Sequence, residues 1–278
     1  MKISTQMRFM QRVKSITKSP YSIVILLLLI LTFLFISDLS GDDVYTVKSV
    51  IDGDTIILED ISSTNVRYLG IDSPEVGSLD APGDPLSDEA RRINKDLVDG
   101  KRIRLEFDKE RFDPYGRTLA YVFVGDIFVN EQILRSGLAK GLIIQPNDKY
   151  AERLLKAEKE AKDGRSGIWG DISGLERPEG NRNFVINPSS ASRYIDQRVV
   201  VRGKITKYRK SDKVLVLNME DVLDIVLFPD SLSNFSFFNI IPEEYYMGKP
   251  VEVIGKIRMY RGRPNIVISH PISIRALL

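Results

Sequence analysis

An uncharged apolar run over residues 21–37 restricts this chain more than any other feature of its sequence. It reads YSIVILLLLILTFLFIS and follows twenty residues that hold five basic and no acidic side chains. Such a run is just long enough to cross a hydrocarbon core of about 30 Å as a helix, and basic flanks stay in the cytoplasm. We therefore expect a basic cytoplasmic N-terminus over 1–20 and a single transmembrane anchor over 21–37 in the cell membrane. Everything beyond about residue 42 is expected to lie outside the cytoplasm.

Two other interpretations of this run remain open. It could be the apolar centre of a cleaved signal peptide, in which case the protein is secreted, although no Ala-x-Ala cleavage site follows it. It could also be a buried core helix, although its uniform Leu/Ile content argues against that. The chain has no cysteine, which excludes disulfides, thiolate catalysis and cysteine-based zinc sites and leaves the compartment undecided.

Positive charge is concentrated at the N-terminus. The formal net charge is +2 and the first twenty residues contribute +5, so +2 less +5 leaves −3 for the remainder. A protein that binds polyanions through bulk charge is strongly basic. Any nucleic-acid contact must therefore come from local arginines and a bound cation.

The rest of the chain divides into two predicted domains. Over 43–170, short β-branched runs mix with three helical stretches, which indicates an α+β domain built on a small five-stranded barrel. Ser87, Asn130 and Asp148 are expected to cap the three helices. Residues 171–192 are rich in Gly, Pro, Ser and Asn and are predicted to be a linker.

Residues 193–278 are predicted to consist almost entirely of strands. Gly203 and Gly255 interrupt β-branched runs, which is typical of a curved barrel whose glycines relieve bends. The pattern resembles an all-β OB fold of the nucleic-acid-binding kind. Basic residues alternate with tyrosines on two strands and could hold phosphates and stack bases, although a solvated strand face is the alternative. These candidates are Lys207, Tyr208, Arg209, Arg258 and Tyr260.

Four short segments of the first domain carry candidate functional residues. They are DGDT at 52–55, RYLGIDSPE at 67–75, DPYGR at 113–117 and the helix start at Asn130. Each alone has an ordinary structural explanation: a turn, a strand end closed by proline, or arginines in surface salt bridges. Together they supply the residue types that metal-assisted attack on a phosphodiester needs.

The acidic members of these segments suit a hard divalent cation. Asp54, Asp72 and a backbone carbonyl near Ser73 offer the oxygen ligands that Ca²⁺ prefers, and the same set would serve Mg²⁺. Glu75, three residues beyond Asp72, is placed to position or deprotonate the attacking water.

The basic members suit the transition state of phosphodiester cleavage. Arg67 and Arg117 can donate to phosphate oxygens in bidentate fashion and stabilise the added negative charge. The sequence holds one histidine, His270, in the other domain. A histidine-based mechanism therefore has no candidate near these segments.

In their order and spacing, these segments resemble the staphylococcal nuclease (thermonuclease) family over about residues 44–170. Further matches are YGRTLAY at 115–121, VNEQILRSGLA at 129–139 and GIW at 167–169. The resemblance implies an OB-type barrel of five strands with three helices, and endonucleolytic cleavage of DNA and RNA to 3′-phosphates. It also implies one Ca²⁺ per active site, held by Asp54, Asp72 and Ser73, with Arg67, Glu75 and Arg117 catalytic. Tyr115, beside Arg117, is a further candidate for nucleic-acid contact.

The chain departs from the family at three places. After Ala139 it reads KGLIIQPND where the family has two tyrosines beside the nucleotide. Pro114 replaces a lysine, and the loop over 76–86 is acidic and rich in proline. We therefore expect the second barrel to bear part of the substrate affinity.

The expected function is a membrane-anchored, extracytoplasmic, Ca²⁺-dependent nuclease with an accessory nucleic-acid-binding barrel. Its expected partners are DNA or RNA and the membrane, and the sequence implies no protein partner. One alternative is a non-catalytic, membrane-tethered nucleic-acid-binding protein, and a second is a tether for protein partners. All five side chains that catalysis needs are present, which favours the enzyme.

Overall fold

A computed structural model describes residues 44–59, 64–172, 175 and 184–277. The expected cytoplasmic segment 1–20 and the expected membrane span 21–37 lie outside the described residues. In the part of the chain that is described, no helix combines the length and the apolar character needed to cross a bilayer.

Eight strands belong to the first domain, and five of them close into a barrel. The strands are β1 Val44–Val50, β2 Thr55–Leu58, β3 Asn65–Tyr68, β4 Gly70–Asp72, β5 Arg102–Glu106, β6 Thr118–Val124, β7 Ile127–Phe128 and β8 Lys140–Leu142. The barrel order is β3-β2-β1-β5-β6, and a parallel pairing of β3 with β6 closes the circle. The predicted five-stranded barrel is confirmed, and β4 pairs with β8 beside it.

Successive side chains of a strand point to opposite faces of the sheet, and the apolar side chains on the inner face fill this barrel. Ile56, Val66 and Val122 are completely buried. One polar side chain lies among them: Asn130 accepts a hydrogen bond from the N–H of Val122 (2.9 Å) and donates one to the carbonyl of Leu69 (2.8 Å). Asn130 thereby provides a hydrogen-bond partner for the backbone at Leu69, where the chain passes from β3 to β4.

Three helices accompany the first barrel, as the sequence predicts: α1 Ser87–Val98, α2 Val129–Arg135 and α3 Ala151–Asp163. The predicted caps are wrong at all three. The cap positions are held by Leu86, Phe128 and Tyr150, and none of them makes a side-chain capping bond.

The three predicted cap residues have other places in the structure. Ser87 is buried in the first turn of α1, and Asn130 is used by the barrel backbone. Asp148 lies before α3 and binds Lys109 (3.0 Å). Tertiary packing therefore overrides the local capping preference.

The second domain is built on a second curved sheet with a related strand order. Its strands are β9 Val185–Ile186, β10 Arg198–Ser211, β11 Val214–Met219, β12 Leu223–Leu227, β13 Pro250–Lys256, β14 Arg258–Tyr260, β15 Arg263–Val267 and β16 Ile274–Ala276. As β1 lies between β2 and β5, so β10 lies between β11 and β13, and β12 runs parallel to β15 as β3 does to β6. This order resembles that of an OB-type barrel, but among the described strands no hydrogen-bonded pairing joins β13 to β15 as one joins β5 to β6. The curved sheet is called the second barrel below.

The second domain is not all-β, which corrects the prediction. Helices α4 Pro229–Phe237 and α5 Pro242–Tyr245 separate β12 from β13. Each begins with a proline in its first turn, where the missing N–H costs nothing. Strand β12 therefore ends at Leu227, and the chain turns helical at Pro229.

The two strand glycines allow close packing, and their predicted role in relieving bends stays a prediction. A Cβ on Gly203 would lie 2.6 Å from Pro188 Cγ, and one on Gly255 would lie 2.4 Å from Ile266 Cγ2. Both distances are too short for side chains to coexist. Glycine is therefore needed where β10 and β13 press against their neighbours.

Part of the predicted linker is built into the second domain. Val185–Ile186 pairs in parallel with β10, and Pro188–Arg193 forms a 3₁₀ helix. The domain boundaries themselves stay a prediction.

Trp169 joins the two barrels, which lie within one compact unit, Tyr45–Leu278. Its side chain is completely buried and belongs to a cluster with Ala161 of α3. From the second domain, Phe237 packs edge-on against its ring (5.6 Å between centroids), and so does His270 (4.8 Å). The closing tryptophan of the first domain is therefore part of the contact between the barrels.

Candidate active site

Asp54 lies in the turn between β1 and β2, and its side chain is completely buried. Asp52 closes this turn by accepting a hydrogen bond from the N–H of Asp54 (2.9 Å). The Asp54 carboxylate accepts from the N–H of Ser73 (2.6 Å) and from the hydroxyl of Thr55 (3.1 Å). A buried carboxylate is stable only when it is paired as well as hydrogen-bonded, so this turn needs a cation beside it.

Arg67 supplies that cation. One guanidinium nitrogen is bonded to Asp54, and the other is 2.8 Å from Asp72. The two predicted metal ligands, far apart in sequence, therefore face the same group. Asp72 is also bonded to Lys140 of β8. Burial and the charge of Arg67 lower the pKa of Lys140 to about 8.

Close backbone packing fixes the distance between the two acidic segments. A Cβ on Gly53 would lie 2.7 Å from Ser73 Cβ and 2.8 Å from Ala90 Cβ of α1. Only glycine allows the Asp52–Asp54 turn to approach Ser73 this closely. The hydrogen bond from the N–H of Ser73 to Asp54 therefore depends on the absence of a side chain at Gly53.

Asn94 of α1 connects this turn to the barrel. Its amide donates to the carbonyl of Asp52 (2.9 Å) and accepts from the hydroxyl of Tyr68 (2.9 Å). Tyr68 follows Arg67 in β3. One completely buried asparagine therefore orders the acidic turn and the arginine strand together.

The pairing of barrel strands places Arg117 near the site. The parallel pairing of β3 with β6 sets Arg67 opposite Leu119, two residues beyond Arg117. The guanidinium of Arg117 donates to Asp113 (2.7 Å), and its charge lowers the pKa of Asp52 against the larger effect of burial, which raises it. Arg117 is thus brought near Arg67, but its own bond is to Asp113.

Glu75 lies on the loop that leaves β4, with an exposed side chain at the edge of a cleft between the barrels. Although much of the Glu75 surface is exposed, the surrounding protein reduces the hydration of its carboxyl and so raises its pKa, whereas the charge of Arg198 lowers that pKa. The Glu75 N–H donates to Asp84 (3.0 Å), and its carbonyl accepts from the Asp84 N–H (2.8 Å). Asp84 therefore fixes the backbone of Glu75.

Arg198 of the second barrel completes this arrangement. Its guanidinium forms an ion pair with Asp84 (2.5 Å) and donates to the carbonyl of Pro82 (3.1 Å). The loop over 76–86, acidic by sequence, is thus neutralised from the other domain. Sequence reasoning missed Arg198, Lys140 and Asn94, because a single basic residue or amide outside a motif gives no signal of its own.

The residues predicted to hold a metal ion offer oxygen atoms only. Asp54 and Asp72 contribute carboxylates, and Ser73 adds its carbonyl. Ser73 Oγ is buried and, among the described residues, has no hydrogen-bond partner. A set of this kind fits a hard cation such as Ca²⁺ or Mg²⁺. Within the described ranges, no group of three or more His, Asp or Glu side chains forms a metal cluster.

The predicted nucleic-acid contacts lie on three different segments of the structure. Tyr115 is three-quarters exposed on the Arg117 turn. Lys207, Tyr208 and Arg209 lie on the β10–β11 hairpin, where Lys207 pairs with Asp221 (2.9 Å) and Arg209 with Asp224 (3.0 Å). Tyr260 is exposed on β14, and Arg258 of the same strand lines the cleft that Glu75 also lines.

Gly53→Ala is expected to lower nuclease turnover by roughly 10²-fold, because the new methyl group must push the Asp54 turn away from Ser73 and a shift of about 1 Å has that effect. Turnover should be measured on a short single strand. The control is Gly100→Ala, where nothing lies within 4 Å but φ is +65°. It should cost about 1 kcal/mol of stability and leave turnover unchanged. Equal turnover in the two variants would contradict the packing argument.

Arg198→Ala is expected to lower kcat by roughly 10–100-fold with a smaller change in KM, because the Glu75 loop loses its anchor. Arg198→Lys should recover part of the loss. The control is Arg202→Ala, on the same strand, whose exposed side chain pairs with Glu252 (3.3 Å). A kcat for Arg198→Ala equal to that of the control would rule out a positioning role.

Comparison with known proteins agrees with this geometry. The family model for staphylococcal nuclease homologues matches residues 65–171. The thermonuclease of Staphylococcus intermedius is 42% identical over 134 residues, which cover 48% of this chain and 79% of the relative. The thermonuclease of Staphylococcus hyicus is 40% identical over 131 residues, 47% of this chain and 78% of the relative. Endonuclease YncB of Bacillus subtilis (strain 168) is 40% identical over 127 residues, 45% of this chain and 60% of the relative. With this similarity and the five-stranded barrel, the chain belongs to the staphylococcal nuclease family.

Proposed function

We propose that this protein is a Ca²⁺-dependent nuclease that hydrolyses phosphodiester bonds of DNA and RNA. The observation that carries the proposal is the convergence of Asp54 and Asp72 on Arg67. The related proteins are named thermonuclease and endonuclease, and a nuclease is the activity that this family membership supports.

Asp54, Asp72 and the carbonyl of Ser73 would hold one cation at the edge of the barrel. When bound, a divalent cation neutralises the phosphate and lowers the pKa of the attacking water. Ca²⁺ is proposed over Mg²⁺ on family grounds, because the oxygen ligands would serve either ion.

The chain's own residues perform the remaining tasks. Glu75, held by Asp84, orients the attacking water and accepts its proton. Arg67 presents two nitrogens on one face, and that geometry matches two phosphate oxygens as well as it matches two carboxylates. Arg117, exchanging Asp113 for the phosphate, stabilises the charge that develops in the transition state.

The second barrel is proposed to bind the nucleic-acid substrate. The first domain lacks the two tyrosines and the lysine that the family resemblance leads one to expect, and its loop over 76–86 is acidic. The second barrel reaches that loop through Arg198. Substrate affinity is therefore assigned in part to the second domain.

The nuclease proposal is tested by cleavage of plasmid DNA, single-stranded DNA and RNA with the full-length protein in detergent. Cleavage is expected with Ca²⁺ and none with chelator. Arg117→Ala should lower kcat by about 10²–10³-fold, and Glu75→Gln by about 10²–10⁴-fold.

The matched control is Arg91→Ala, an exposed arginine of α1 that pairs with Asp88 (3.3 Å). It should cleave like the wild type. A folded protein that binds nucleic acid but cleaves none of the three substrates with either ion would instead be a non-catalytic binding protein.

We further propose that the apolar run over 21–37 anchors the protein in the cell membrane with the nuclease outside the cytoplasm. The length of the run and its basic N-terminal flank support this orientation. In cells that express the chain, the protein should stay with membranes after carbonate extraction and be digested by external protease. Recovery in the culture medium would indicate cleavage and secretion, and resistance to protease in intact cells would refute the orientation.

A further inference from the structure

A cleft of about 690 Å³ lies between the two barrels and begins at the candidate active site. Asp72, Glu75 and Lys140 line it from the first domain. Residues of β13, the start of β14, the end of β15 and the segment after it line it from the second. A volume of about 300–1,000 Å³ is typical of small-molecule sites, so this cleft has room for one or two nucleotides.

The free positive charge of the cleft comes from the second barrel. Lys140 and Arg198 are bonded to Asp72 and Asp84, so their charges are already used. The exposed guanidinium of Arg258 has no ion-pair partner among the described residues. Lys256 pairs with Asp196 at 3.5 Å, and both side chains are exposed, so the pair is weak. Two cations are therefore available to an anion that enters the cleft.

The same wall offers an aromatic face to the cleft, and behind it lies a buried histidine. Phe228 lines the cleft and is 49% exposed, which is unusual for a phenylalanine and suits stacking on a base. His270 also lines it. Its Nδ1 accepts from the N–H of Ile272 (3.1 Å), and burial lowers its pKa to about 3. A neutral ring that accepts at Nδ1 carries its proton on Nε2, and Nε2 has no partner among the described residues.

The hairpin face of the second barrel is a weaker candidate for the same task. Arg209 and Arg263 both turn to Asp224, at 3.0 Å and 3.5 Å, and Lys207 pairs with Asp221. These cations are engaged with acids of their own domain. Glu75 does not line that face, whereas it lines the cleft.

We propose that the cleft between the barrels binds the part of a single nucleic-acid strand next to the scissile phosphodiester. Arg258 and Lys256 contact its phosphate, and Phe228 stacks on its base. The proposal rests on the nuclease function, because the cleft is proposed to hold the strand beside the phosphodiester that the nuclease cleaves. It predicts that the substrate is held by both barrels at once.

The test measures binding of a fluorescein-labelled dT₁₂ strand to the full-length protein by anisotropy, in chelator, over a range of salt. Lys256→Ala/Arg258→Ala should raise Kd about tenfold or more and reduce the slope of log Kd against log salt by about 1–2, since each lost phosphate contact removes close to one. Phe228→Ala should raise Kd about tenfold with the slope unchanged, because stacking releases no counterions.

The matched control is Lys95→Ala/Lys159→Ala, which removes two exposed lysines from α1 and α3. A Kd and slope for the cleft variant equal to those of this control would overturn the proposal, as would the absence of dT₁₂ binding by the wild type. Lys256→Gln/Arg258→Gln should reproduce the alanine result if either alanine disturbs folding. Cleavage of the same strand by the wild type in Ca²⁺ is scored separately, so failure of the nuclease function is distinguished from failure of the cleft.

Discussion

The bond from Arg67 to both Asp54 and Asp72 is the interaction on which the site depends. Asp54 is completely buried, and a carboxylate in that position needs an opposite charge. Arg67 provides it from β3 and extends to Asp72 at 2.8 Å. Removing the arginine would leave both acids without this partner. The two segments that carry the acids would then no longer be held together by a shared ion pair. Charge pairing, together with the close packing at Gly53, thus brings Asp54 and Asp72 to one place.

The barrel makes that pairing possible through its connectivity. Closure by a parallel β3–β6 pair sets Arg67 opposite Leu119 and so brings the Arg117 turn to the same end of the barrel. Asn130 satisfies the backbone where the chain departs from β3, and Gly53 lets the Asp54 turn approach Ser73. The second barrel has a related strand order, but the cations of its hairpin pair with Asp221 and Asp224. Related strand orders therefore form a catalytic frame in one domain and a wall of the cleft in the other.

Sequence reasoning predicted the first barrel, its three helices and the order of Asp54, Arg67 and Asp72, because these follow from strand periodicity and from motifs with fixed spacing. It failed where tertiary packing decides. The caps at Ser87 and Asn130 were wrong because one side chain is buried and the other bonds to the barrel backbone. Helices α4 and α5 were missed because residues 193–278 were predicted to be almost entirely strands, and the prolines that begin both helices were not used as helix-start signals. Lys140 and Arg198 lie outside any motif, so only the fold reveals that they meet Asp72 and Asp84.

Arg198 makes the structure around Glu75 depend on the second barrel. Asp84 fixes the backbone of Glu75 by two hydrogen bonds, at 3.0 Å and 2.8 Å, and is itself buried. Its only ion pair among the described residues comes from the second barrel. Without that barrel, the buried carboxylate of Asp84, beside the proposed catalytic base Glu75, would have no cation. Breaking a buried ion pair by removing one partner is strongly destabilising. The loop would then open toward water, and Glu75 would move with it. The second barrel is therefore part of the active-site structure, and its role begins before any nucleic acid binds.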